Sequence, residues 1–385
     1  MTVGPRKGAL HPPASIAVVG GGQLGRMFIQ AAQAMGFRAG ALTLTPETPA
    51  AQVADWTVQG PSDDLATLRA LAERAEAVTV EFENVSAAAL RWLAKRRIVR
   101  PGWRTLWTCQ NRLREKTFLA RHDVPHAPWR PVRSADELAA AVRALGTPMV
   151  LKTSSSGYDG RGQVRVDAEA DAADAWAILG RPPCVAEGWV EFVAEASVVV
   201  ARGGDGRASA FPIALNHHER HILDSSTAPA AVGPIVAQEA RETALGVAQA
   251  LDAVGVLCVE FFITADGRLL VNEIAPRPHN SGHLTIEAGL SSQFDQQVRA
   301  LCGLPLGSCD LVRPAAMVNL LGDVWAGGEP RWGRALEDPG VKLHLYGKHT
   351  PKPGRKMGHL TVLDETPDGA LTRAREARRR LMEKN

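Results

Sequence analysis

The sequence predicts a mixed architecture: a parallel α/β segment at the N-terminus, an α+β segment in the middle and a small β-rich segment at the C-terminus. In the first hundred residues, short apolar strands alternate with amphipathic helices, which is typical of a parallel sheet. From about Asn111, strands follow one another through tight turns that contain glycine. A third block from Leu306 contains the strand Pro314–Leu320 and a further β unit over residues 341–363.

The length of the chain favours several domains. Its 385 residues exceed what a single compact domain usually holds, and 45% hydrophobic with 22% charged residues is an ordinary globular composition. We expect a disordered tail over residues 1–14 and domains over residues 15–110, 111–305 and 306–385.

The balance of charge gives no support for binding to nucleic acids or membranes. The chain carries 44 basic and 41 acidic residues, a net charge of +3. The basic run "TRAREARRR" is interpreted as the solvated face of a last helix, and no apolar run approaches the ~20 residues that span a bilayer. The start lacks the apolar core of a secretory signal. Scattered cysteines without a C-x-x-C pair favour a reducing cytoplasm; they are Cys109, Cys184, Cys258, Cys302 and Cys309.

The elements of the N-terminal segment follow from periodicity. A helix with an apolar face from Leu24 to Met35 ends at Gly36, Ser62 is a candidate cap for a second helix, and a third helix covers Ser86–Lys95. The predicted strands are Ser15–Val19, Arg38–Leu44, Ala77–Phe82 and Ile98–Val99.

Between the first strand and helix, the loop Gly20–Gly25 fits the pattern G-x-G-x-x-G of dinucleotide-binding, Rossmann-like sheets. The helix N-terminus that follows favours an anion, either a dinucleotide pyrophosphate or another phosphate. A nicotinamide-dependent oxidoreductase would need an acidic residue at the end of the second strand. This chain has Leu44–Pro46 there, with Glu47 beyond the proline.

The middle segment contains a helix over Gln238–Ala253. Its predicted strands are Met149–Thr153, Gln163–Val166, Cys184–Glu187, Ser197–Arg202, Arg207–Ile213, Val256–Ile263 and Arg268–Ile274.

Two glutamates on the last pair of strands predict a metal site. A two-residue turn at Asp266–Gly267 makes Glu260 and Glu273 direct cross-strand neighbours, and a four-residue turn keeps both on one face. Opposed carboxylates repel unless a cation lies between them, and hard oxygen ligands suit Mg²⁺. The alternative is a pair of exposed glutamates.

Three further clusters of polar residues favour phosphate chemistry. Lys152 lies on a strand that enters the glycine-rich loop 154–162, which is either a phosphate loop or a mobile hairpin tip. The stretch 272–283, too polar for a core, carries Arg277, His279, Asn280 and His283 beside the metal ligand. A basic cluster of Lys348, Arg355 and Lys356 either binds a phosphate or forms a solvated loop.

Taken in order, these motifs resemble the ATP-grasp superfamily and, within it, the N5-carboxyaminoimidazole ribonucleotide synthetase family. The resemblance runs from Ile16 to about Leu363 and includes "APRPHNSGH" and "PGRKMGH", which are specific to that family. The other matching stretches are "GGGQLGRM", "VTVEFENV", "NRLREK", "LKTSSSGYDGRGQ", "AEGWVEFVAEASVVVAR", "VGVLCVEFF" and "SQFDQQVRALCGLPLG". The fold implied for the middle segment is an ATP-grasp domain.

The resemblance implies an ATP site with Mg²⁺ as cofactor. Glu260 and Glu273 match the metal ligands, and Arg277 matches an arginine that steadies carboxyphosphate. The residues that match ATP-binding positions are Arg112, Lys152, Gly157, Tyr158, Asp159, Gly160, Arg161, Gly162, Gln163, Glu187, Gly188, Trp189, Val190, Glu195, His218, Asn272 and Glu273.

The resemblance also implies a ligase that uses ATP and bicarbonate to carboxylate 5-aminoimidazole ribonucleotide in purine biosynthesis. Lys152, Arg277, Tyr158 and Asp159 are the implied catalytic residues, and Asp159 is a candidate acceptor for the proton of the amine. The implied ribonucleotide contacts are Gly22, Gln23, Leu24, Glu81, Asn280, Lys348, Arg355 and Lys356, with Tyr158 and Asp159 beside them. A homodimer and transfer of product to a mutase are implied as well.

The chain departs from the family pattern at four positions. The family has Asp at Asn111, Gly at Ser156 and His221, and Trp at Leu284. Other ATP-grasp ligases, such as a biotin carboxylase or a formate-using transformylase, lack the "PGRKMGH" stretch. A catalytically inactive nucleotide-binding protein is disfavoured because the matched phosphate and metal positions are all filled.

Overall fold

The computed structural model describes residues 8–155, 157 and 160–383. Its N-terminal segment is a five-stranded parallel sheet in the order β3-β2-β1-β4-β5, as the alternating pattern predicts. The strands are β1 (Ser15–Val19), β2 (Arg38–Thr43), β3 (Trp56–Gln59), β4 (Ala77–Val80) and β5 (Ile98–Val99). The helices are α1 (Gln23–Ala34), α2 (Leu65–Arg74), α3 (Ala87–Ala94) and α4 (Trp103–Cys109). Ile16 and Val18 pack towards α1, whereas Ala17 and Val19 pack towards α2 and α3, so both faces are covered.

Three predictions for this segment need correction. β3 was not predicted, because its four residues lie between turns and carry only two buried side chains. Asp64, not Ser62, caps α2, since its carboxylate accepts a hydrogen bond from the Thr67 amide at 2.8 Å. Within the tail predicted to be disordered, Leu10 is buried and its amide bonds to the Cys302 carbonyl, whereas most of the other residues over 8–14 are exposed.

The middle segment begins with α5 (Arg112–Arg121) and builds two antiparallel sheets. A four-stranded sheet in the order β6-β9-β7-β8 lies under α6 (Ala135–Leu145) and α7 (Ala172–Ile178). Its strands are β6 (Trp129–Val132), β7 (Met149–Thr153), β8 (Gln163–Val166) and β9 (Cys184–Gly188).

The second sheet has nine strands, and α5 and α8 (Pro234–Ala250) pack against one face of it. Its first strands are β10 (Ala194–Arg202), β11 (Ala208–Ala210), β12 (Ala214–Glu219), β13 (Ile222–Ala228), β14 (Gly255–Ile263) and β15 (Leu269–Ala275). The helix predicted over Gln238–Ala253 differs in its bounds: α8 begins four residues earlier, with Pro234 in its first turn, and ends at Ala250. The strand predicted over Arg207–Ile213 shortens to three residues.

The C-terminal strands continue this same sheet. β13 pairs with β16 (Ala315–Leu321), which pairs with β18 (Lys356–Leu363) and through it with β17 (Lys342–Leu345). The predicted boundary between residues 305 and 306 stays a prediction, but no gap in the sheet marks it among the described strands. The remaining helices are α9 (Thr285–Ala288), α10 (Gln293–Cys302), α11 (Trp332–Ala335) and α12 (Pro367–Leu381).

The basic run lies on α12, whose arginines pair with carboxylates. Arg373 binds Asp338 and Asp364, and Arg378 binds Asp224. Arg379 and Arg380 both reach Glu376. The charge of this helix is thus largely compensated by neighbouring carboxylates. No helix within the described residues is both long and apolar enough to cross a membrane.

Candidate active site

A cleft of about 1340 Å³ lies where the N-terminal sheet, the four-stranded sheet and the nine-stranded sheet meet. It gathers nearly all the site residues that the sequence predicts. Those lining it are Gly22, Gln23, Leu24, Glu81, Arg112, Lys152, Gly157, Gly160, Arg161, Gln163, Glu187, Gly188, Trp189, Val190, Glu195, His218, Glu260, Asn272, Glu273, Arg277, Asn280, Lys348, Arg355 and Lys356. Gly162 is not among them, and its carbonyl accepts a hydrogen bond from the Thr153 amide. Tyr158 and Asp159 lie outside the described residues.

Glu260 and Glu273 are direct cross-strand partners, as predicted, but the turn that brings them together differs. The Thr264 amide bonds to the Arg268 carbonyl, so the hairpin has three loop residues with Gly267 at φ +82°. Such an odd loop alone would pair Glu260 with Asn272. A β-bulge at Asn272 adds one residue to β15 and restores the pairing of the two glutamates.

Cations surround this carboxylate pair. Arg112 on α5 donates to Glu273 at 3.0 Å, and His279 lies 2.9 Å from Glu260. Burial alone would raise the pKa of Glu273, but Arg112 and Lys152 lower it below its usual value. Burial likewise opposes the charge on His279, whereas Cys258 and Glu260 raise its pKa to about 10. The carboxylate oxygens of Glu260 and Glu273 form a donor set that fits Mg²⁺.

A second group of candidate metal ligands within the described residues comprises His217, Glu219 and Asp224, whose ligand atoms lie within 4.8 Å of one another. His217 and Glu219 are exposed, and Asp224 is held by Arg378 and Arg375. Because Asp224 already has charge partners, this group offers less uncompensated charge to a metal.

Lys152 on β7 lies deep in the cleft and pairs with Glu187 on β9 at 3.0 Å. Lys116 on α5 lies 3.5 Å from the same carboxylate oxygen, Oε2 of Glu187. Burial works against the charge on Glu187, but the two lysines lower its pKa to about 2. Burial also lowers the pKa of Lys152. The arrangement holds a strand lysine beside Arg112 and the carboxylate pair, where it can meet an anion.

The hinge predicted to contact adenine leads out of β9. The Gly188 amide bonds to the Pro128 carbonyl and the Trp189 amide to the Pro148 carbonyl, which secures the segment to its own sheet. Across the cleft, Nδ1 of His218 lies 2.7 Å from the Glu195 carboxylate, within hydrogen-bond distance. Beside this pair, the rings of Phe192 and Phe262 stack at 4.5 Å. This end of the cleft therefore combines an apolar surface with a carboxylate.

The loop Gly20–Gly25 leads into the N-terminus of α1, for which the sequence predicts an anion, either a dinucleotide pyrophosphate or another phosphate. The amides of Gly22 and Gly25 donate to the carboxylate of Glu81, which follows β4. Binding of a ligand phosphate at this loop stays a prediction. The helix dipole favours an anion at this N-terminus, and at these two amides the anion is the carboxylate of Glu81. Burial raises the pKa of Glu81, and the two amides oppose that rise.

Arg277 lies between this loop and the metal-ligand pair. Its guanidinium donates to Glu83 at 2.6 Å, and the two side chains are mostly buried. Burial opposes both charges, yet the pKa of Glu83 falls and that of Arg277 rises because each stabilises the other. Glu83 thus holds a charged arginine at the cleft.

On the C-terminal side, Lys348 donates to the Lys356 carbonyl at 2.6 Å and lies over the ring of Tyr346. Arg355 is exposed and bonds to the Thr350 carbonyl at 2.7 Å. Asn280 exchanges hydrogen bonds with Asn319 of β16. The basic cluster therefore faces the cleft rather than forming a purely solvated loop.

The stretch after β15 is largely buried, contrary to the prediction that it is too polar for a core. His283 is fully buried, and its ring lies 5.0 Å from that of His359, the last residue of "PGRKMGH". Gln293 bonds to His283 at 3.1 Å and the Tyr346 hydroxyl to His359 at 2.9 Å. One ring nitrogen of each histidine is hydrogen-bonded, whereas the Nε2 atoms of His283 and His359 are buried without a partner among the described residues.

These two histidines predict an acid-sensitive fold. Burial, reinforced by His279 and His344 for His283, holds the pKa values of both rings well below 6.5. The unfolded chain takes up protons first as the pH falls below about 6.5, so each histidine removes up to about 1.4 kcal/mol of stability per pH unit. We expect His359→Gln to make the free energy of unfolding fall less steeply than in the wild type between pH 6.5 and 5. Denaturant unfolding at several pH values measures the difference, and equal slopes would contradict the prediction.

Two departures from the family pattern have local explanations. Asn111 caps α5, since its side-chain oxygen Oδ1 accepts a hydrogen bond from the Arg114 amide at 3.2 Å, a role that Asn and Asp fill about equally well. Its amide group also donates to Ser155 in the glycine-rich loop. His221 adopts φ +65°, a conformation that favours glycine. A Cβ built on Gly160 would lie 2.5 Å from His221, so the loop passes close to this strained residue.

We therefore expect His221→Gly to raise the free energy of unfolding by about 1 kcal/mol, because relief of the left-handed strain outweighs the greater freedom of the unfolded chain. Thermal unfolding measures this. Arg181→Gly, at φ +56° away from the cleft, is the matched control and should give a similar gain. A lower melting temperature for both variants would show that neither backbone is strained.

Sequence reasoning missed Glu83, Glu115 and Lys116. Glu83 stands two residues after Glu81, just beyond β4. Residues two apart in an extended segment point to the same side, and this spacing could have indicated a second carboxylate at the cleft. Glu115 and Lys116 lie on the buried face of α5, where burial raises the pKa of Glu115 to about 8. A hydrophobicity pattern assigns such residues to solvent, so it gave no signal for them.

Comparison with known proteins agrees with this geometry. Three family models match successive parts of the chain: the ribonucleotide synthetase preATP-grasp domain over residues 14–110, the ATP-grasp domain over 117–294 and the phosphoribosylaminoimidazole carboxylase C-terminal domain over 315–373. N5-carboxyaminoimidazole ribonucleotide synthase of Bacillus subtilis is 43% identical over 366 residues, 94% of each chain. The enzyme of the same name from Brucella melitensis is 43% identical over 357 residues, 92% of this chain and 98% of its own.

Solved structures show the same likeness over the whole fold. N5-carboxyaminoimidazole synthetase from Staphylococcus aureus complexed with ADP superimposes with a TM-score of 0.90 at 35% identity, covering 96% of this chain and 98% of its own. The synthase from Aspergillus clavatus in complex with ADP and 5-aminoimidazole ribonucleotide gives 0.87 at 34% identity, with the same coverage.

The fold and the cleft thus define an ATP-grasp ligase, and the predicted order of a parallel N-terminal sheet, an ATP-grasp domain and a C-terminal domain is confirmed. More narrowly, the chain belongs to the N5-carboxyaminoimidazole ribonucleotide synthase family of purine biosynthesis.

Proposed function

We propose that the chain carboxylates 5-aminoimidazole ribonucleotide on its exocyclic amine, using ATP and bicarbonate and releasing ADP and phosphate. The observation that carries this proposal is the convergence of Arg112 and Lys152 with the opposed Glu260 and Glu273 in one cleft. The relative from Aspergillus clavatus, whose structure holds ADP and 5-aminoimidazole ribonucleotide, supports it.

ATP would lie between the two antiparallel sheets. Arg112 and Lys152 would neutralise its phosphates, and residues 157–163, which match a flexible loop of the family, are proposed to close over them. Glu195 accepts hydrogen bonds from the ribose hydroxyls, while the segment Glu187–Val190 contacts adenine. Glu260 and Glu273, with Asn272 alongside, would hold Mg²⁺, which supplies Lewis-acid neutralisation of phosphate charge.

In the first step a bicarbonate oxygen attacks the γ-phosphorus of ATP, the bond to the bridging oxygen breaks, and carboxyphosphate and ADP form. This requires alignment more than general-base chemistry, since the nucleophile is already an anion. Arg277, held by Glu83, steadies the charge on the transferred group.

In the second step the exocyclic amine attacks the carboxyl carbon, phosphate leaves and the nitrogen gives up a proton. Asp159, which lies outside the described residues, stays the predicted acceptor of that proton, and Tyr158 stays a predicted pocket residue. Closure of the loop over the cleft keeps water from the intermediate. Gln23, Glu81, Asn280, Lys348, Arg355 and Lys356 are the side chains proposed to orient the ribonucleotide.

The deciding experiment measures ADP release with bicarbonate, in the presence and absence of 5-aminoimidazole ribonucleotide. Turnover that depends on the ribonucleotide is the expected result, and its absence overturns the proposal. Stabilisation of the fold by NADH but not by Mg-ATP would instead favour an oxidoreductase. Formation of a homodimer, a cytoplasmic location and transfer of product to a mutase stay predictions that the resemblance implies.

A further inference from the structure

The extra residue in β15 decides where the metal ligands point. Phe261 pairs with Val271 and Glu260 pairs with Glu273, so Asn272 is the residue without a partner across the ladder. Successive residues of a strand point to opposite faces of the sheet. Without the bulge, Glu260 would face Asn272, and the side chain of Glu273 would turn to the face that packs against α5 and α8.

Three side chains of α5 contact three consecutive residues at this bulge. Lys116 donates to the Asn272 carbonyl at 2.9 Å, Arg112 donates to the Glu273 carboxylate at 3.0 Å, and Glu115 accepts the Ile274 amide at 3.1 Å. Positions separated by three and four residues lie on one side of a helix, which is why all three reach the same strand.

The burial of these side chains shows that packing alone does not explain them. Glu115 is 2% exposed and Lys116 is fully buried. A buried ionisable group is costly unless hydrogen bonds compensate for the lost water, and an apolar residue would serve helix packing better. Lys116 has a second role, since it also pairs with Glu187. Glu115 contacts β15 through the hydrogen bond that it accepts from the Ile274 amide.

We propose that Glu115 is a positioning residue for the metal-ligand pair. Its side chain accepts the Ile274 amide, holds the bulge at Asn272, and so keeps Glu260 and Glu273 on the face that lines the cleft. The inference rests on the proposed function, since it assigns a divalent ion to those two carboxylates.

Two substitutions separate the hydrogen bond from the bulk of the side chain. Glu115→Gln keeps an oxygen that accepts the amide, whereas Glu115→Met keeps the volume and loses the acceptor. We expect Glu115→Met to raise the Mg²⁺ activation constant for ADP release by roughly 10- to 100-fold, the usual effect of losing a residue that orients a metal ligand. Glu115→Gln should stay close to the wild type. The KM for the ribonucleotide should change in neither variant, because Glu115 bonds to the Ile274 amide and not to a residue proposed to contact the ribonucleotide.

Leu119→Ala is the matched control on the same helix. Leu119 is fully buried in the core beneath the large sheet, so its loss should lower the melting temperature and leave the Mg²⁺ constant unchanged. An unchanged constant in Glu115→Met overturns the proposal, as does an equal rise in Glu115→Gln or Leu119→Ala. Should Glu115→Met not fold, Glu115→Ser, which is too short to reach Ile274, replaces it with the same expectations.

Binding of Mn²⁺ in the presence of ADP, followed by electron paramagnetic resonance, keeps this test independent of carboxylation. If the wild type shows no ribonucleotide-dependent turnover, the proposed function fails, while the Mn²⁺ titrations still compare the variants. Weaker Mn²⁺ binding in Glu115→Met alone supports the positioning role, and equal binding in all variants overturns it.

Discussion

Glu273→Gln is expected to lower ribonucleotide-dependent ADP release by roughly a hundred- to a thousandfold, the scale of losing one preorganised group that stabilises charge in a transition state. The variant keeps the shape of the side chain and removes its charge. Arg112, which pairs with Glu273 at 3.0 Å, would then carry an uncompensated charge beside the phosphates, and the metal site would lose half of its carboxylate pair.

The measurement combines steady-state ADP release with a thermal melt, because the argument requires a folded variant. Glu376→Gln is the control: Glu376 is half-buried on α12, far from the carboxylate pair, where it pairs with Arg379 and Arg380. It should change neither rate nor melting temperature appreciably. Normal activity in Glu273→Gln would rule out the metal role of that residue.

Arg277→Met is expected to reduce turnover by a similar factor, again roughly a hundred- to a thousandfold. Arg277 is the guanidinium between the metal-ligand pair and the glycine loop, and it is held in place by Glu83 at 2.6 Å. Its removal also leaves Glu83 in a poorly hydrated position without its partner, which costs about 3–5 kcal/mol when such a pair is broken.

The double variant Arg277→Met/Glu83→Gln separates these two effects. It removes the orphaned charge, so stability should recover while turnover stays low. Arg373→Met is the matched control, since Arg373 binds Asp338 and Asp364 far from the cleft and should affect stability alone. Recovery of turnover in the double variant would show that Arg277 acts only by compensating Glu83.

The parallel N-terminal sheet could be predicted from the sequence because its evidence is local. β1 and α1 follow from an apolar run and a helical period within twenty residues, and both lie where the pattern placed them. The same holds for the position of Lys152 on a strand. Both predictions depend on residues that are close in the chain.

The strand register at Glu260 and Glu273 could not be predicted from neighbouring residues alone. The glutamates were expected to pair through an even turn, yet they pair through an odd loop and a bulge at Asn272. The predicted pairing of the two glutamates is therefore correct, but the predicted turn is wrong. Nothing in the hairpin itself marks the bulge, because the groups that hold it, Glu115 and Lys116, stand more than 150 positions earlier in the chain.

By itself, the sequence determined the fold class of each segment, the family and many of the polar residues of the cleft, since these follow from short-range periodicity and from motifs. Only the tertiary structure decided that Glu81 occupies amides of the glycine loop, that β16 extends the large sheet, and that His283 and His359 meet in a core. The physical reason is that these contacts join residues distant in sequence, whose hydrogen bonds and charges are satisfied only when the whole chain has packed.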